Sequence, residues 1–331
     1  MKTYPLPIYV QRFFTERLAT QLHASPNTIA SYRDTFRLLL KYATGQLGRE
    51  PTDLQVADLD ADLVGGFLSS IETARGNGAR SRNTRLSAIR SFFKYVAVNE
   101  PQLLHHCQRV LAMPSKRHEK RTIDYLTRTE IEALIAAPNA STWSGRRDRT
   151  LLLLALQTGL RVSELINLTC GDVVLGTGAH VRCVGKGRKE RATPLRKDCA
   201  KMLRTWLAER AGANTEALFI SNRGDRLSRD ALERIVRKHV GTAACHCSTL
   251  KGKRVTPHVL RHSAAMQLLQ NGVDRTVIAL WLGHESVETT QMYIHADIQL
   301  KEQAMAKTKP LTAPAGRYRP GDELIAFLEA L

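Results

Sequence analysis

Six side chains in this 331-residue sequence have types and spacing that suit one kind of chemistry: Arg161, Lys186, His258, Arg261, His284 and Tyr293. A tyrosine hydroxyl, with an ordinary pKa of about 10, is a weak nucleophile that reacts only where cations stabilise the charge building on its target. Two arginines, a lysine and two histidines make a phosphodiester the fitting target. His258 and Arg261 lie three apart in the stretch Thr256 to His262, where Thr256 reads as an N-cap and Pro257 as the first helical residue. Both side chains then share one face near a helix N-terminus, where unpaired backbone N–H groups and the helix dipole favour an anion. Taken singly, each residue has an ordinary alternative. Tyr293 is a packed rim aromatic, His258 and His262 are capping or core histidines, Arg161 is a helix-end ion pair and Lys186 is a solvated hairpin charge.

The series as a whole resembles a known family. Thr158-Gly159-Leu160-Arg161-Val162-Ser163-Glu164-Leu165, the hairpin Gly185 to Arg191, His258-Val259-Leu260-Arg261-His262, Leu282-Gly283-His284 and Tyr293 resemble the tyrosine recombinases, or phage-type integrases, and most of all their Xer-like bacterial branch. The resemblance covers about residues 125 to 300, with 25 residues from Arg161 to Lys186, 23 from Arg261 to His284 and 9 from His284 to Tyr293. It implies that Tyr293 attacks a DNA phosphate, leaving a 3′-phosphotyrosyl bond and a free 5′-hydroxyl. It makes Arg161 and Arg261 the clamp on the nonbridging oxygens, Lys186 the donor to the departing 5′-oxygen, His258 the acid and base at the tyrosine, and His284 a hydrogen-bond partner of the phosphate. Glu164 and His262 become supporting residues. No metal, ATP or other cofactor is implied, because the protein's own cations supply the charge stabilisation that Mg²⁺ gives elsewhere.

The same resemblance implies strand exchange through a Holliday junction between double-stranded sites built as inverted repeats around a short spacer. The assembly would be a homotetramer, with a second recombinase or a DNA-bending protein as further candidate partners. Integration, excision or transposition of a mobile element is the expected role, with Xer-like dimer resolution as the alternative. A type IB topoisomerase uses a similar tyrosine and cations but relaxes DNA as a monomer. A noncatalytic DNA-binding regulator would be basic and helical without needing these six residues.

Composition agrees independently. Lys plus Arg number 49 against 31 Asp plus Glu, a net charge of +18 that predicts a polyanionic partner. The charge is concentrated: Arg75 to Arg121 holds 11 basic and two acidic residues, and Arg182 to Lys197 holds seven basic residues against Glu190 alone. The plain alternative for such runs is a solvated face. Their positions favour DNA, which makes Arg82, Arg85, Arg90, Lys94, Lys116, Arg117, Arg188, Lys189 and Arg191 the candidate contacts.

The positioning elements read as mainly helical with a small antiparallel sheet. An N-terminal helical core-binding domain, SAM-like by the resemblance, spans 1–110. A basic linker broken by Pro114 spans 111–125, the catalytic domain 126–300 and a tail 301–331; the resemblance implies that the two domains close on DNA as a C-shaped clamp. Apolar spacing predicts helices over Pro26 to Ala43, closed by Gly45, and over Ser81 to Val98. In the catalytic domain Thr127 and Glu130 form a capping box. Short apolar runs at 173–175, 180–184 and 191–195 predict three strands, with Lys186 in the turn between the last two. Helices follow at about 197–210, 228–240, 257–270, 275–282 and 287–294. In the tail, Leu324, Ile325, Phe327 and Leu328 anchor a last helix that either completes its own domain or docks on a neighbouring protomer.

No stretch reaches the ~18 apolar residues of a membrane span, and Met1 to Leu6 shows no signal-peptide core. A cytoplasmic, nucleoid-associated protein is therefore expected. The six cysteines form no paired framework and read as reduced thiols. Cys245-His246-Cys247 with His239 invites a zinc reading, but the usual Cys-x-x-Cys pairs are missing.

Overall fold

Helices form where an apolar period meets a capping residue, and both units of the chain show it. The computed structural model describes residues 3–117, 123–185, 190–210 and 215–283, and the chain divides into Met1–Lys120 and Arg121–Leu331. The first unit holds α1 (Leu6–Arg12), which runs on into a π-helical Phe13–Gln21, then α2 (Pro26–Leu47), α3 (Ala61–Thr73), α4 (Ala79–Asn99) and α5 (Leu104–Leu111). Ser25 opens α2 by accepting a hydrogen bond from the Thr28 N–H at 3.2 Å. The helix does not stop at Gly45. It continues to Leu47, which packs on the core, and is closed by Gly48 at φ 63°. An interior glycine costs only about 1 kcal/mol relative to alanine, so packing one turn later outweighs it. Phe92 of α4 meets Phe13 and Phe36 edge to face, with ring centres 5.5 and 5.2 Å apart, at the centre of this core.

The stretch read as an open linker is partly built into this unit. Arg82 Nη1 donates to Pro114 O at 3.0 Å, Arg90 donates to Met113 O, and Asn83 both donates to Lys116 O at 2.7 Å and accepts from its N–H at 3.0 Å. Residues 113–116 have no helix or strand to pair their backbone, and α4 supplies the missing partners. Ile123 and Tyr125, by contrast, pack on a small cluster in the second unit.

That second unit comprises α6 (Arg128–Ala136), α7 (Trp143–Thr158), α8 (Val162–Asn167), β1 (Val173–Val174), β2 (His180–Val184), β3 (Glu190–Pro194), α9 (Lys197–Glu209), α10 (Arg229–Ala244), α11 (Pro257–Gln270) and α12 (Arg275–Leu282). The Thr127–Glu130 capping box opens α6. The strands form an antiparallel sheet in the order β1-β2-β3, with Val173 opposite Val181 and Val184 opposite Glu190. Helix α7 is buried on every side from Leu151 to Leu156, as a central core helix must be. Trp206 of α9 packs against Trp143, and its indole N–H donates to Leu218 O at 2.8 Å, so a large ring is buried without stranding its donor. Helix α10 runs four residues past Val240 because Ala243 extends its buried row. The architecture is mainly helical with a small antiparallel sheet. Among the described residues, no helix is long and apolar enough to cross a membrane.

Candidate active site

Helix ends position the arginines. Thr158 ends α7 and Gly159 turns the chain at φ 63°, in a space where a Cβ would come 2.5 Å from Leu282 Cδ2; only glycine fits that left-handed, crowded position. Two residues on, Arg161 is the N-cap of α8. Its backbone N–H donates to Glu164 Oε2 at 2.7 Å, its Nη1 to Glu164 Oε1 at 2.8 Å, and its Nη2 to Gly283 O at 2.8 Å. Arg261, one turn into α11 and buried, donates through Nη1 to Gly159 O at 2.6 Å and through Nη2 to Leu282 O at 2.8 Å. The carbonyl ends of α7 and α12, where the helix dipoles are negative, thus hold both guanidinium groups. These neutral carbonyls orient the guanidinium groups without cancelling charge, although Arg161 also pairs with the Glu164 carboxylate.

Glu164 is buried between Arg161 and Arg191. Burial alone would raise its pKa; hydrogen bonds from Arg191 and from Arg161 overcome that and bring it down to about 2. The carboxylate stays charged. His258 stands at the exposed N-terminal turn of α11, behind the Thr256 cap. Partial burial, then Arg229, Arg261 and Arg161, lower its pKa, with Glu233 opposing. His258 is therefore a neutral base at neutral pH. His262, one turn further, is pushed down to about 4 by burial first and by His258 and Arg261 next. It is neutral at neutral pH.

Among the described residues, Arg161, Glu164, His258, Arg261 and His262 lie close to one another. Lys186, His284 and Tyr293 lie outside the described residues, as do Arg188, Lys189 and the tail. Two of the expected DNA contacts have other partners within the protein. Arg191 turns inward, its side chain 12 % exposed and its fork on Glu164. Arg82 is buried and spent on Pro114 O. Arg90 likewise donates to Met113 O and to Ser115 Oγ, and Lys116 pairs with Glu72 at 2.7 Å. Lys94 and Arg117 are exposed, and Arg85 is half-buried. His239, needed for the zinc reading, is buried and shares a 2.8 Å hydrogen bond with Asp148. Sequence reasoning missed Arg191 as Glu164's partner, although strand alternation carries the signal: Arg191 shares a face with buried Thr193, while Glu190, Ala192 and Pro194 face outward.

Residues 124–299 match the phage integrase family, and residues 11–99 match the phage integrase N-terminal SAM-like domain. The chain is a tyrosine recombinase of the phage integrase family. It is 52 % identical over 322 residues to a Sinorhizobium fredii protein that carries an integrase/recombinase name, y4rC, covering 97 % of each chain. It is 32 % identical over 300 residues to the tyrosine recombinase XerC of Pelobacter propionicus, covering 90 % of this recombinase and 94 % of XerC. Its fold matches the XerH site-specific recombinase bound to a palindromic difH substrate in a post-cleavage complex, with a TM-score of 0.70 at 23 % identity over 86 % of this chain and 81 % of that one.

Proposed function

We propose that this recombinase cuts and rejoins double-stranded DNA through a 3′-phosphotyrosine bond at Tyr293, in a homotetramer that passes through a Holliday junction. The observation that carries this reading is the pair Arg161 and Arg261, both held by helix-end carbonyls beside a neutral His258. Two preset forks can grip the nonbridging oxygens of a phosphodiester as charge builds on them. His258 takes the Tyr293 proton as the tyrosine oxygen bonds to phosphorus. The bond from phosphorus to the 5′-oxygen breaks, and that oxygen takes a proton from Lys186; His284 hydrogen-bonds the phosphate. Reversal by a new 5′-hydroxyl rejoins the strand. Glu164 and His262 support these groups, and exposed cations such as Lys94 and Arg117 contact the DNA backbone.

Integration, excision or transposition of a mobile element is the biological role we favour, supported by the integrase/recombinase name of the y4rC relative over nearly its whole length. Similarity to XerC supports dimer resolution as the second reading. The chemistry is tested with a nicked suicide substrate in excess EDTA. The native protein traps a covalent adduct, and Tyr293→Phe binds the same DNA without one. An adduct in that variant, or loss of the native adduct that Mg²⁺ restores, refutes the mechanism. Strand exchange between two defined sites separates recombinase from topoisomerase.

A further inference from the structure

The Glu164 carboxylate is shared between two guanidinium groups. Arg191 donates through Nη1 to Oε1 at 3.0 Å and through Nη2 to Oε2 at 2.7 Å, a two-pronged contact. The same oxygens accept from Arg161, Oε1 from Nη1 and Oε2 from the backbone N–H. Exposure rises along the series: 3 % for the Glu164 side chain, 12 % for Arg191 and 28 % for Arg161. Arg191 closes the inner side of the carboxylate, and Arg161 is the member that reaches solvent.

A second contact ties Arg191 to the same place. Gly283 ends α12 at φ 66°, and a Cβ there would stand 2.7 Å from Arg191 Nη1. The carbonyl of that glycine holds the other branch of Arg161. Arg191 therefore underlies both fixings of Arg161, the carboxylate on one side and the α12 end on the other. Its strand position is set in turn by pairing with Cys183 of β2.

We infer that Arg191 is a positioning residue for strand cleavage: its two-pronged contact fixes the Glu164 carboxylate that holds Arg161 towards the phosphate. This rests on the reading of Arg161 as a phosphate ligand. Lysine cannot replace it, because a single ammonium cannot satisfy two carboxylate oxygens in one plane. Without Arg191, a buried carboxylate would keep one guanidinium. Desolvation would then raise its pKa, and protonation would release Arg161 Nη1. The groups facing Glu164 are Arg161 of α8, Arg191 of β3 and Cys183 of β2, whose thiol is pushed up by burial and stays neutral.

The test measures single-turnover adduct formation by the full-length protein on a nicked suicide substrate, alongside DNA affinity and Tm. Arg191→Lys should slow the adduct step on the order of ten- to a hundredfold, the range of coupled charged networks, with DNA affinity unchanged. Arg191→Met should add an acid limb to the pH–rate profile, the rate falling as Glu164 takes up a proton. The double variant Glu164→Gln/Arg191→Met should lack that limb and be no slower than Glu164→Gln alone. Wild-type rates in both Arg191 variants, or a double variant slowed by the product of the single effects, would overturn the inference. A rate that falls only in parallel with Tm would make Arg191 merely structural and overturn it as well. No adduct from the native protein overturns the underlying reading of the site instead.

Discussion

In the first unit, Arg82 and Arg90 donate to the carbonyls of Pro114 and Met113, loop groups that no helix pairs. In the second, Arg161 and Arg261 donate to the carbonyls of Gly159, Leu282 and Gly283, at the ends of two helices. The bonds are chemically alike. What differs is the surroundings: the first pair fastens a loop to a helix, whereas the second converges beside His258 and a charged Glu164. Positive charge in a sequence therefore measures attraction to DNA better than it locates contacts. Some of the arginines in the basic run hold the protein together.

Arg261→Ala is the sharpest way to break this comparison. Losing one preset donor to a transition-state oxyanion costs on the order of a hundred- to a thousandfold in rate, so adduct formation should nearly vanish while DNA binding remains. Arg82→Ala should lower stability by about 1–3 kcal/mol, the cost of stranding a buried partner, and leave the adduct rate nearly unchanged. Suicide-substrate kinetics and thermal melts on both variants decide it. A cleavage defect in Arg82→Ala without a drop in Tm would erase the distinction.

The next effect is electrostatic. Replacing Arg85, Lys94 and Arg117 should flatten the dependence of log K on log salt by roughly 2–3 units, at about 0.9 per phosphate contact. Replacing Arg82 and Arg90 should barely move the slope. Equal flattening by both sets would show that the loop-bound pair is released to DNA on binding.

The helices and the recombinase family were legible in the sequence because each announces itself locally. Thr127 with Glu130, and Thr256 with Pro257, mark helix starts that the structure reproduces, and α11 and α12 fall on the expected residues. Helix ends were less legible where glycine misled: α2 passes Gly45 and α10 passes Gly241, since burial of later residues outweighs a weak breaker. The inward arginines went unread because basic side chains were assigned to DNA contacts, yet periodicity marks them. Arg82 falls on the stripe of Leu86, Ile89 and Phe93, and Arg191 on that of Thr193. What no local pattern could reveal is which carbonyls the arginines meet, because Gly159 and Gly283 are far apart in sequence and meet only in the fold.

The smallest expected effect separates the supporting groups by pH. His262, ordinarily near 6.5, is held down to about 4 by burial. The unfolded chain thus takes up a proton first, and the stability this histidine contributes is complete above about 6.5 and is lost as pH falls towards about 4. Glu164, lowered from 4.5 to about 2, contributes stability that is complete above 4.5 and is lost between there and 2. His262→Gln should flatten the Tm profile in the upper window only. A change confined to the lower window would reassign the titrating group.

The carbonyl turn at Leu282 and Gly283 grips both Arg161 and Arg261, ten residues before the proposed nucleophile Tyr293 in sequence. Sites joined this way share one free energy, and linkage works in both directions. A phosphate that strengthens the hold of the guanidinium groups on this turn stabilises the end of α12. Anything that braces the end of α12 raises affinity for the phosphate by the same factor. Occupancy of the proposed phosphate site and the order of the α12 end are thereby reciprocal quantities, and either one can be measured through the other.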